Sequence, residues 1–307
     1  MPSFFEKKGT RSSVKAGLVV ILLLLLLIPL AMIKDLVRER QYRSEEAAAE
    51  IIGSAGGNLD VIGPVLILPY DVRERVYRDG DWITEQKRGG EVYVVPEDAH
   101  FRIALQTEYR VRGIYRVPVY DAALRVEGSF PMIMEEHLPD GAILRPDDIR
   151  IFAGFSDMRG IRRISPLALG GEKLDFMPDS GIPGLGSGII ALPDYSDLAG
   201  SSLPFSWEMD ISGGGLVSAT PLGRNSSLEM SGDWPSPSFS GSILPDEREV
   251  TDTGFTASWL IPEVSRPIGR SWDSSSEISS NLRSHALVVR LMDPVGMYAR
   301  ARRSVEY

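Results

Sequence analysis

An unbroken apolar run near the amino terminus constrains this chain more than any other feature. Residues 16 to 33 are eighteen consecutive apolar or small side chains, with six leucines in succession from Leu22 to Leu27. A helix of that length rises roughly 27 Å, enough to cross the hydrocarbon core of a bilayer. Pro29 sits inside the run, and membrane helices tolerate proline. A buried core helix is also apolar all round, but it does not come with a basic head. Lys7, Lys8, Arg11 and Lys15 stand against Glu6 before the run, a net of +3. The whole chain carries −9, so everything after the head carries −12. That asymmetry predicts a cytoplasmic amino terminus, with the chain beyond Lys34 on the far side of an inner membrane.

A cleaved signal peptide has a shorter apolar core, about 7–15 residues, and ends in a small-x-small site. Here the run is longer, and Met32 to Arg40 offers no such site. Ala47, Ala48 and Ala49 lie too far downstream. The expectation is an uncleaved signal anchor: residues 1–15 a cytoplasmic basic tail, 16–33 the membrane span. Residues 34–57 are rich in Glu, Arg and Ala, good helix formers, and Gly53, Gly56 and Gly57 supply a stop. Two roles stay open for this helix, a rigid stalk or a segment packed on the following domain or on other chains.

From residue 58 to 307 the pattern changes to β. Phe101, Ile103, Leu105, Thr107, Tyr109 and Val111 alternate with Arg102, Ala104, Gln106, Glu108, Arg110 and Arg112. Period 2 over twelve residues marks a strand with one face buried and one in solvent. Residues 122–130, 205–211 and 228–234 repeat it, and 65–68, 91–95, 149–152, 256–260 and 286–291 are further strand candidates. Turn signals such as Asp79-Gly80 and Asp140-Gly141 separate them. Strands without intervening helices predict a mainly β fold, an antiparallel sandwich-like domain beyond the membrane helix. Residues 170–200, rich in Gly, Pro and Ser, read as a long loop or an internal boundary.

Chemistry is sparse. With no cysteine among 307 residues, disulfide scaffolds, Cys-ligated metals and thiol nucleophiles are excluded. An acidic chain, pI near 5.0, lacks the basic footprint of a nucleic-acid binder. His100, His137 and His285 are far apart and match no ligand spacing. Gly184 to Gly188 lacks the strand, helix and Lys of a phosphate loop. Glu135-Glu136 and Asp147-Asp148 read as solvated turns, and Asn225-Ser226-Ser227 as a chance glycosylation sequon. No catalytic, cofactor-binding or metal site is expected, and no enzyme. The one unusual segment is Trp234, Pro235, Pro237 and Phe239, in which Pro-x-Pro stiffens an extended backbone. It reads either as a rigid crossover anchored in the core by its aromatics or as an exposed platform for a peptide or glycan.

Residues 223–259 closely resemble the CreD (Cet) family of bacterial inner membrane proteins. The matching residues include Gly223 to Ser226, Asp233 to Gly241, Leu244-Pro245, Arg248 to Val250 and Gly254 to Trp259. Other segments agree in order: Arg38 to Arg43 after the span, Gly63 to Pro69, Arg112 to Tyr120, Ser156 to Ile161 and Asp293 to Tyr298. The resemblance covers essentially the whole chain. It implies an inner-membrane protein with a large periplasmic domain, tied to envelope integrity and stress responses, with no catalytic residues to carry over. Its expected partners are the lipid bilayer and envelope proteins, with no nucleic acid. The family continues into a block of carboxy-terminal membrane helices, which the resemblance places after Arg300 to Tyr307.

Overall fold

The computed structural model describes residues 9–78, 81–133, 135–194, 198, 202–266, 268–276 and 282–291. The turn at Asp79-Gly80, the basic Lys7 and Lys8, and the motif from Asp293 to Tyr298 lie outside the described residues. The chain divides into two units, Met1–Glu50 and Ile51–Tyr307.

Among the described residues the first unit consists of one helix, α1 (Gly9–Ala55), whose last five residues are counted with the second unit. Its segment Gly17–Ala55 is long and apolar enough to cross a membrane, with a mean hydropathy of 2.8 over its best window and none of that window buried. Past the apolar run the sequence supports itself by pairs one turn apart. Arg43 reaches Glu39 at 2.6 Å, and Gln41 donates to Glu45 at 2.9 Å.

Within the second unit the last turn of α1 closes in a Schellman motif. Gly56 takes φ +116°, its N–H donates to the Gly53 carbonyl, and the Gly57 N–H donates to the Ile52 carbonyl at 2.8 Å. A Cβ on Gly56 would stand 2.4 Å from the Ser212 carbonyl oxygen, so this stop admits glycine alone. Gly53, part of the expected stop, stays helical.

Nineteen strands follow among the described residues. They begin with β1 (Leu59–Arg78), β2 (Asp81–Val94), β3 (Asp98–Arg112), β4 (Tyr115–Phe130), β5 (Ala142–Leu144), β6 (Arg150–Phe155) and β7 (Ile161–Ile164). Next come β8 (Leu167–Leu169), β9 (Glu172–Leu174), β10 (Met177–Ile182), β11 (Gly186–Ala191), β12 (Leu203–Gly214) and β13 (Leu216–Pro221). The series ends with β14 (Asn225–Gly232), β15 (Pro237–Gly241), β16 (Glu247–Thr251), β17 (Gly254–Ile261), β18 (Ser271–Asp273) and β19 (Leu287–Leu291). The stretch 170–200 thus contributes β9, β10 and β11.

The strands form a ten-stranded sheet built on β10-β11-β6-β1-β13-β19-β15 and a nine-stranded sheet built on β16-β17-β14-β3-β4-β12-β8-β9. Most pairs are antiparallel. Two are parallel, β1 with β13 and β3 with β14. Each joins strands far apart in sequence, the long crossover that parallel pairing requires.

One large core lies between inward faces of both sheets. Leu66, Leu68, Val217 and Leu287 come from the first sheet; Phe101, Ile103, Val126 and Trp259 come from the second. Strand β1 also buries its other face, where Ile62, Val65 and Ile67 join Phe152, Leu222 and Trp272 in a second cluster. Opposite β6, Ile62 pairs with Gly154 but Val65 with Phe152, so one extra residue bulges at Gly63-Pro64. The bulge reverses the parity of the strand. Leu59 and Val61 face the main core before it, Leu66 and Leu68 after it. Tyr120 ties the two sheets near the start of β1. Its hydroxyl accepts from the Leu59 N–H at 2.9 Å and donates to the Leu216 carbonyl at 2.7 Å; burial pushes this phenol well above its ordinary value.

Candidate functional site

The outward face of the nine-stranded sheet is built by strict alternation. On β3, Phe101, Ile103 and Leu105 are buried while Arg102, Ala104 and Gln106 are exposed. Register then lines up the outward side chains of neighbouring strands. Glu229 on β14 stands opposite Arg102 on β3, Arg102 opposite Arg125 on β4, and Arg125 opposite Glu208 on β12. Two adjacent arginines would repel. Glu127 bridges them, paired with Arg102 at 3.2 Å and accepting from Arg125 at 3.0 Å, while Glu208 meets Arg125 at 3.1 Å.

The next row along the strands is different. Ser231, Ala104 and Ala123 stand in register, with Asp210 beyond. Short side chains there leave a depression of about 750 Å³, whose lining includes Ala104, Ala123, Ser231 and Ser258 with the charged row beside them. Arg163 on β7 holds Asp210 at 2.8 Å at one end of the row, and the edge strand β16 brings Glu247 and Glu249 to the other. The site is a trough floored by small residues and rimmed by both signs of charge. It suits a polar, extended partner that offers donors and acceptors in turn.

The Pro-aromatic segment lies elsewhere. Between β14 in one sheet and β15 in the other, residues 233–236 carry the chain across. Trp234 is 3% exposed and packs on Tyr109, ring centroids 5.1 Å apart. Asp233 accepts from the N–H and hydroxyl of Thr107, both at 2.7 Å. Pro235 is exposed, and Pro237 opens β15. Phe239 is half-buried, 5.9 Å from Phe255 and 6.2 Å from Trp259.

The other singled-out residues stay apart. His100 is exposed on β3 with Nδ1 2.8 Å from the Ser227 hydroxyl, His137 ends a 3-10 turn, and His285 precedes β19. Among the described residues no three His, Asp or Glu gather as a metal-binding group. Asp147 and Asp148 lie exposed in a 3-10 turn, Asp148 paired with Arg145 at 2.8 Å. Gly184 to Gly188 covers the turn between β10 and β11 and the start of β11, and Asn225 opens β14. The trough itself has no sequence motif. Only the two alanines at outward positions of β3 and β4, among arginines and glutamates, could have pointed to it.

Residues 11–307 match the family model described as inner membrane protein CreD. The chain is 30% identical over 292 residues to the inner membrane protein CreD of Escherichia coli strain K12, covering 92% of this chain and 62% of that relative. The chain therefore spans less than two thirds of that relative's length. Solved structures give weaker likeness. An M1 zinc metallopeptidase from Deinococcus radiodurans matches with a TM-score of 0.28 and 10% identity, over 66% of this chain and 42% of that one. Yeast LTA4 hydrolase matches with a TM-score of 0.26 and 10% identity, over 62% and 28%.

Proposed function

The chain belongs to the CreD family of inner membrane proteins, and from that premise we propose that it is a membrane-anchored periplasmic protein supporting cell-envelope integrity through non-enzymatic contacts with protein partners. The observation that carries this reading is the trough on the nine-stranded sheet, an open, charge-patterned face on a rigid scaffold. The charge asymmetry about the apolar run supports a cytoplasmic amino terminus and a periplasmic β unit. A sensing role through Trp234 and Phe239 has less support, because Trp234 is buried and reaching it means opening the core.

The test fills the trough. Ala104→Gln with Ala123→Gln places two long uncharged side chains on its floor, opposite one another without like-charge repulsion, and disturbs no inward-facing residue. Exposed substitutions of this kind change stability by about 0.5 kcal/mol or less. Cells that depend on this gene for resistance to detergent should lose that resistance with the double variant, while its level and melting temperature stay those of the wild type. Full resistance with the filled trough would remove the basis of the proposal.

A further inference from the structure

A second cavity, of about 300 Å³, lies where the ends of β13 and β17 meet the segment before β19. Two of its polar groups are buried without partners among the described residues. Thr220 is 2% exposed and its hydroxyl makes no hydrogen bond. Arg266 has its Nη2 buried and unpaired, while its Nη1 donates to the Leu222 carbonyl at 2.8 Å. A cation withdrawn from water without an anion on it is costly.

The nearby acid relieves Arg266 only in part, through space and without an ion pair among the described residues. Glu263 is taken up by two other arginines, accepting from Arg224 at 2.9 Å and from Arg270 at 2.8 Å. Arg224 first and Arg270 second hold its carboxyl down at about 2. Burial lowers Arg266 to about 10, so it stays charged at neutral pH. Ser242 and His285 add polar groups to the wall, and Ile243 and Ile261 supply an apolar surface.

We propose that this cavity binds a small carboxylate, its oxygens on the Arg266 guanidinium and the Thr220 hydroxyl and its apolar body against Ile243 and Ile261. Charge-assisted bonds to a guanidinium are the strong kind, and the volume sits at the small end of ligand pockets. The carboxylate is that of a free organic acid or the terminal one of a peptide. The site is separate from the trough, so either can fail without the other.

Calorimetric titration of the detergent-solubilised full chain decides it, with N-acetyl-alanine, acetyl-alanyl-alanine and the neutral N-acetyl-alanine methyl amide as probes. Both acids should bind saturably, and the amide at least roughly tenfold more weakly. The tighter of the two acids identifies the source, peptide end or free acid. Arg266→Met should weaken the acids by a similar factor and leave the ligand-free melting temperature equal or higher, because an uncompensated buried charge is gone. Thr220→Val should weaken them several-fold. If Arg266→Met does not fold, Thr220→Val and the acid-to-amide ratio carry the decision. No saturable binding of either acid means the cavity holds only water and overturns the proposal. Equal binding of acid and amide, or unchanged affinity in a folded Arg266→Met, overturns it as well.

Discussion

The two sheets share a core but differ in what covers their outer faces. In the ten-stranded sheet β1 is buried almost without interruption from Leu59 to Tyr70, because a second cluster around Ile62, Ile67 and Trp272 closes its far side. In the nine-stranded sheet the far side is open, and β3 shows Arg102, Ala104 and Gln106 to solvent. The difference teaches where recognition can sit. A strand covered on both faces is committed to structure. A strand covered on one face has every second residue free to vary, and here those residues form a charged row beside a small one.

The largest effect is expected at the crossing between the sheets. Trp234 is 3% exposed and rests on Tyr109, so Trp234→Ala leaves a cavity worth about 3–5 kcal/mol. That is a large share of the stability of an ordinary domain. Thermal melting of the full chain in detergent should show a steep fall or loss of the folded state. An unchanged melting temperature would break the reading of residues 233–236 as a core-anchored crossover and return them to the list of binding surfaces.

A matched pair of substitutions sharpens the comparison of the two outer faces. Ile67 points to the far side of the ten-stranded sheet and is fully buried. Ile67→Ala should cost about 2–5 kcal/mol. Gln106 points to the far side of the nine-stranded sheet and is exposed, so Gln106→Ala should stay within about 0.5 kcal/mol. The measurement is the denaturant midpoint of each variant. Similar midpoints for both would mean that the second cluster does not seal its face.

The same difference explains what the sequence made legible. The strands β3, β4, β12, β14 and β17 belong to the half-open sheet, and their alternation announces them. Strand β1 shows only its short apolar stretch, because burial on both faces erases the alternation and the bulge at Gly63-Pro64 shifts what remains. Strands β9, β10 and β11 are short, and glycine interrupts β10 and β11. Hairpin pairing of β9 with β8 and of β10 with β11, together with the docking of β11 on β6, makes them strands, not local propensity. The parallel pairs had no local signal, since register between residues over a hundred positions apart is set by tertiary packing. For the sites, the alternation of Leu228 and Met230 runs on to Trp234 and its burial. Arg266 and Thr220 are visible only once the fold brings β13 and the segment after β17 together.

The smallest expected effect is electrostatic and lies on the path between the sheets. After β17 leaves the nine-stranded sheet, Glu263 links Arg224 to Arg270 before β18 pairs into the ten-stranded one. Its ordinary value is 4.5, and the two guanidiniums lower it to about 2 in the folded state. A carboxyl depressed by folding stabilises fully above its unfolded value, and the contribution disappears as pH falls through its folded value. The window is therefore pH 4.5 to about 2. The group is exposed, so the contribution is small and salt screens it. Glu263→Gln should melt slightly below the wild type at pH 7. That gap should narrow as the pH drops from 5 toward 2, and added salt should narrow it at pH 7. A gap independent of pH would show that Glu263 holds the crossing by shape rather than charge.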